Sequence, residues 1–102
     1  MSRGLTSAQI RAARALIRWS AAKLAREAAL GLATIRRAEL SESETSMTVA
    51  NDLAVRRALE AAGVIFIDEN GDAGPGVRLR KRWQGNDRPP AGPPGTQAGP
   101  SL

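Results

Sequence analysis

The sequence predicts a mainly α-helical fold: four helices, then a C-terminal β-hairpin and a disordered tail. Three observations point there. Apolar residues recur at helical spacing in successive segments between Ser7 and Ala62. A β-branched and aromatic run, Val64-Ile65-Phe66-Ile67, is joined by a turn-rich stretch to the alternating Val77-Arg78-Leu79-Arg80. Residues 85–102 hold five of the six prolines and four of the ten glycines without apolar periodicity. The expected units are a helical domain over 5–63, a hairpin extension over 64–82 and a disordered tail over 83–102.

The elements follow in order. Thr6-Ser7-Ala8-Gln9 reads as a capping box, so a first helix starts at Ser7, with Ile10, Ala13 and Ile17 inward and Leu16 beside them. Ser20 is a good N-cap for a second helix, Ala21 to Ala28, with Leu24, Ala25 and Ala28 inward and Trp19 as a core anchor. Leu30-Gly31 interrupts, and Leu32 to Leu40 forms a third helix with Ile35 and Ala38 inward. The polar stretch 41–46 reads as a loop. Thr48 caps a fourth helix running to about Ala62, with Val55, Ala58, Leu59 and Ala62 as its stripe, Asp52 interrupting that stripe, and Gly63 ending it. The hairpin has one wet face and must lie on the helices or join another chain.

Composition narrows the chemistry. The 102 residues contain neither cysteine nor histidine. Disulfides are thereby excluded, and zinc, haem and most nucleophile or general-base sites are disfavoured. Asp and Glu show no spacing that pairs them across a pocket, so no enzyme, no metal and no cofactor is expected. No apolar run approaches a membrane span and residues 1–4 lead into no signal-like stretch, so a soluble cytoplasmic protein is expected, with no membrane role.

Charge is segregated. Residues 1–37 carry eight Lys or Arg against Glu27 alone, 38–75 carry eight acidic residues against Arg56 and Arg57, and 76–102 return to five basic residues against Asp87. A basic end of this kind attracts polyanions, because neutralising phosphates supplies most non-specific affinity for nucleic acid. The same arginines also suit a solvated helix face.

The stretch from Ser20 to Glu39 has the packing demands of a helix-turn-helix: small Ala25 where two helices cross, Leu30 at the corner, Ile35 pinning the second helix to Leu24 and its neighbours. With Trp19-Ser20, Leu24-Ala25, Leu30, and Ile35 followed four residues later by Glu39, it resembles the Xre-type family of lambda-repressor-like DNA-binding domains. The resemblance covers roughly residues 5 to 82, including Arg56-Arg57-Ala58-Leu59-Glu60-Ala61-Ala62. Three positions depart from it: Ala29 stands at the turn position usually held by Gly, Gly31 replaces the usual hydroxyl N-cap, and Ala21 stands where Gln is frequent.

The resemblance implies a sequence-specific regulator of transcription, a repressor, binding double-stranded DNA as a dimer with the third helix in the major groove. Leu32, Ala33, Thr34, Arg36 and Arg37 are then the base-contact candidates. Arg36 or Arg37 can form a bidentate pair with guanine, worth ~1–3 kcal/mol of discrimination, and Leu32, Ala33 and Thr34 suit thymine methyl groups. Phosphate contact would fall to Arg3, Arg11, Arg14, Lys23 and Arg26. Arg78, Arg80, Lys81, Arg82 and Trp83 form a second basic cluster that either touches phosphate or keeps an edge strand from aggregating. The homodimer is expected through Val64, Ile65, Phe66 and Ile67. The alternative is a protein-interaction module, antitoxin-like or adaptor, in which the acidic loop with Glu42 and Glu44 or the Pro-rich tail meets a protein partner.

Overall fold

The computed structural model describes residues 4–41, 45 and 47–81; the tail, Arg3, Glu42, Glu44, Arg82 and Trp83 lie outside these. The described chain is mainly helical, with four helices and one two-stranded antiparallel hairpin.

Helix α1 (Ser7–Ile17) starts at the expected capping box. The Gln9 N–H donates to the Thr6 hydroxyl at 3.0 Å, and the Thr6 N–H donates to the Gln9 side-chain oxygen at 2.9 Å. Ile10, Ala13 and Ile17 are buried. The helix ends with Arg18 in the left-handed region, φ 61°. Trp19 N–H reaches Arg14 O at 3.0 Å and Arg18 N–H reaches Ala15 O at 3.4 Å, which makes this a Schellman end.

Helix α2 (Ala21–Ala28) is capped by Ser20 and buries Leu24, Ala25 and Ala28, as its sequence predicts. It ends as α1 does, with Ala29 at φ 58°, Leu30 N–H on Ala25 O at 2.9 Å and Ala29 N–H on Arg26 O at 3.1 Å. A left-handed residue with a Cβ costs roughly 1–2 kcal/mol relative to the ordinary helical conformation. Two such turns on non-glycine residues therefore need the packing of Trp19 and Leu30 on the core to hold them.

Helix α3 (Leu32–Ala38) follows after three residues and is N-capped by Gly31 with no side-chain bond. It stops two residues short of the expected Leu40, because its last turn tightens: the Leu40 N–H goes to Arg37 O at 3.2 Å rather than to Arg36 O. Helix α4 (Val49–Ala61) is capped by Thr48 and buries Val55 and Leu59, with Ala58 and Ala62 half-buried against the core. Asp52 interrupts its stripe for a reason the sequence pattern does not show. It sits in the first turn, where the helix dipole favours an anion, and accepts from the Thr45 hydroxyl at 2.7 Å.

Gly63 turns the chain at φ 107° into β1 (Val64–Ile67), which pairs antiparallel with β2 (Gly76–Leu79): Val64 faces Leu79, Ile65 faces Arg78, Phe66 faces Val77 and Ile67 faces Gly76. The second strand starts and ends one residue earlier than expected. Asn70 closes the loop by accepting from the N–H groups of Asp72 and Ala73 at 2.7 and 2.9 Å. The hairpin packs on α1 and α4, while α3 packs on α2. Gln9 ties the hairpin to α1, its Nε2 donating to Gly76 O at 3.0 Å and Ile67 O at 3.4 Å.

Burial on β1 corrects one expectation. Val64 and Phe66, named as dimer contacts, lie in the core of their own chain, and Ile65 and Ile67 alone of that strand are exposed. Among the described residues no helix is long and apolar enough to cross a membrane.

Candidate nucleic-acid interface

The sequence of α3 divides it into an anchored side and an outward side. Ile35 and Ala38 are buried, Leu32 and Thr34 are half-buried, and Ala33, Arg36 and Arg37 are exposed. The motif-packing residues behave as expected: Leu24, Ala25 and Ile35 are in the core and Leu30 packs against it. Of the base-contact candidates, Leu32 is partly used in packing, which leaves Ala33, Arg36 and Arg37 as the outward set, with Thr34 beside them. Neither Arg36 nor Arg37 forms an ion pair among the described residues.

The far end of α3 is held by a polar stripe on α1 that sequence reading misassigned. Ser7, Arg11 and Arg14 stand four and three residues apart, hence on one helix face. The Ser7 hydroxyl donates to Ala38 O, and Arg11 Nη1 donates to Glu39 O. Arg14 makes a two-bond pair with the Glu39 carboxylate, Nε to Oε2 at 2.7 Å and Nη2 to Oε1 at 2.8 Å, while its Nη1 donates to Trp19 O at 2.9 Å. These donors satisfy carbonyls that a helix end leaves without partners.

Arg14 and Glu39 are mostly withdrawn from water, with side-chain exposures of 22% and 9%. The hydrogen bond to Glu39 raises the Arg14 guanidinium above its ordinary value, burial opposes this, and the carboxylate's charge adds to the rise. This geometry corrects the expectation that Arg14 contacts phosphate: its fork is spent inside the protein. Arg11 is exposed yet already donates to Glu39 O, so it is at most partly free.

The other phosphate candidates divide similarly. Lys23 lies 3.3 Å from Glu27 and over the Trp19 ring at 5.5 Å, so its charge is shared. Arg26 is exposed on α2 with no ion pair among the described residues. Arg3 lies outside the described residues. In the sequence Glu39 stands out only by its spacing from Ile35. The usable signal was its position closing a helix within reach of basic residues on α1, but such a partnership becomes specific only once the helices are placed.

The Trp19 indole N–H is buried and has no hydrogen-bond partner among the described residues. The residue acts as the expected core anchor nonetheless, at the junction of α1 and α2.

Compared with known proteins, the chain matches no family model and no curated protein. The arrangement itself is a short helix held by α1 at its C-terminal end, with two arginines and a small apolar side chain exposed on its outward side. Planar guanidinium groups on such a helix suit bidentate recognition of base edges or phosphates.

Proposed function

We propose that this protein is a sequence-specific double-stranded DNA-binding regulator without a catalytic step, of the Xre-type helix-turn-helix class, with α3 as its recognition helix. The observation that carries this reading is the exposure of Ala33, Arg36 and Arg37 on a helix whose other side is fixed by Ile35, Ala38 and the α1 stripe. Arg36 or Arg37 pairs with guanine in the major groove, Ala33 and the Thr34 methyl meet thymine, and Arg26 contacts phosphate. One such domain touches few bases, so a dimer on two half-sites supplies genomic selectivity and suits a repressor.

The test is DNA affinity measured across a salt series for the wild type and for Arg36→Ala with Arg37→Ala. The double variant should lose at least about fivefold in affinity, from ~1–3 kcal/mol per lost base contact. Unchanged affinity and salt slope would exclude α3 as the contact surface.

A second reading, a protein-interaction module, draws on Leu40 and Val49, which are 80% and 85% exposed at the two ends of the α3–α4 connection. It expects Arg36→Ala with Arg37→Ala to leave function intact and Leu40→Ser with Val49→Ser to abolish it.

A further inference from the structure

We infer that the outward face of the hairpin is a self-complementary surface that docks onto the same face of a second copy of this chain, in antiparallel orientation about a two-fold axis. The pairing register places Ile65, Ile67, Gly76 and Arg78 on one face, opposite the buried Val64 and Phe66. On a half-wet antiparallel hairpin the outward positions are ordinarily polar. Here Ile65 and Ile67 are 37% and 42% exposed, adjacent on the same side of one strand. Gly76, which faces Ile67, has no side chain, and a Cβ there would come no closer than 4.0 Å to Ile67. With no side chain at Gly76, the outward face beside Ile67 is low, and Ile67 Cδ1 lies against it.

Charge along the hairpin selects the partner. Exposed Asp68 and Asp72 lie at its tip, and exposed Arg78 and Arg80 lie toward its base, with Arg80 N–H bonded to Gly63 O at 2.8 Å. From the tip the face thus runs from acidic to apolar to basic, with Arg78 abreast of Ile65 and Arg80 beyond it, its Nη2 also reaching Glu60 O at 3.4 Å. A two-fold rotation about the apolar zone sets each acidic tip on the other chain's basic base, so the same patch satisfies itself on both copies. Parallel stacking would instead oppose like charges, and a uniformly charged partner such as DNA would meet repulsion at the tip.

The hairpin packs on α1 and α4, whereas α3 packs on α2, so pairing here leaves the outward side of α3 uncovered. The apolar part of the face is the two isoleucine side chains, so free chains pair weakly and concentration-dependently. This surface would supply the dimer that the DNA reading calls for, but it is tested without DNA: failure here removes the hairpin as the interface and leaves α3 as the reading helix to its own test, and pairing survives if α3 reads no bases.

The test uses three forms of the full chain in sedimentation velocity over a concentration series: wild type, Asp68→Lys with Asp72→Lys, and Arg78→Glu with Arg80→Glu. The wild type should show reversible dimerisation. Each double variant alone should lose at least about tenfold in association constant, because like charges then face each other. Their equimolar mixture should recover association, since the basic tip of one meets the acidic base of the other. A wild type that stays monomeric at every concentration would overturn the inference. So would variants that dimerise like the wild type, or a mixture that fails to recover although both variants retain native circular dichroism.

Discussion

Arg14 and Glu39 lie 25 residues apart in sequence and meet through two hydrogen bonds, at 2.7 and 2.8 Å. Through them the first helix fixes the end of the third. Glu39→Gln keeps the shape and removes the charge, leaving a mostly buried guanidinium without its counter-ion. Since hydrogen bonds to charged groups are worth about 1.5–3 kcal/mol, the variant should lose about 2 kcal/mol in urea unfolding. A loss below about 0.5 kcal/mol, the usual range of a surface substitution, would show that the pair contributes nothing structural.

The same pair separates stability from electrostatics in binding. Arg26→Ala should reduce the salt slope of DNA binding by about 1 without changing stability, as expected for a lost phosphate contact. Arg14→Ala should do the reverse, lowering stability while leaving the slope of the remaining folded protein unchanged. Equal slopes for Arg26→Ala and wild type would remove Arg26 from the interface.

The turn between α2 and α3 carries a correctable strain. Ala29 sits at φ 58°, a conformation that glycine adopts at no steric cost. Ala29→Gly should therefore stabilise the protein by about 1 kcal/mol, less the entropy that glycine adds to the unfolded chain. Gly31 is different: its φ of −72° suits any residue, and among the described residues a Cβ there would meet only the Thr34 hydroxyl at 4.0 Å. Gly31→Ser should add a few tenths of a kcal/mol by capping α3. Thermal melts of both variants check this, and destabilisation by Ala29→Gly would refute the strain.

Gln9 uses its whole amide, accepting from Thr6 N–H and donating to Gly76 O and Ile67 O. Gln9→Ala should cost about 1–3 kcal/mol and speed amide exchange in β1 and β2 more than in α2. Uniform exchange changes across the molecule would mean that Gln9 does not tie the hairpin locally.

Much of the fold was legible because its signals are local. Thr6, Ser20 and Thr48 mark helix starts by their own hydroxyls, and the β-branched run from Val64 to Ile67 marks its strand. The candidate interface was legible in part: Arg36 and Arg37 are exposed, as their offset from Ile35 and Ala38 requires. Arg14 was misread because its charge alone does not distinguish a solvated arginine from one paired across 25 residues. The end of α3 was placed too far along for a related reason. Leu40 continues the helical pattern, but its N–H bonds to Arg37 O and closes the last turn tightly, while Ser7 and Arg11 hold the Ala38 and Glu39 carbonyls against α1. Val64 and Phe66 alternate with Ile65 and Ile67, and alternation does not say which side meets the core.

The most direct test of α3 as a base-reading helix is selection of bound sequences from a pool of random duplexes, by the wild type and by Arg36→Ala with Arg37→Ala. A two-fold symmetric motif containing guanine in each half-site, enriched by the wild type and lost in the double variant, is the expected result. Steeply salt-dependent binding with no enriched motif, or the same motif recovered by both proteins, would contradict it.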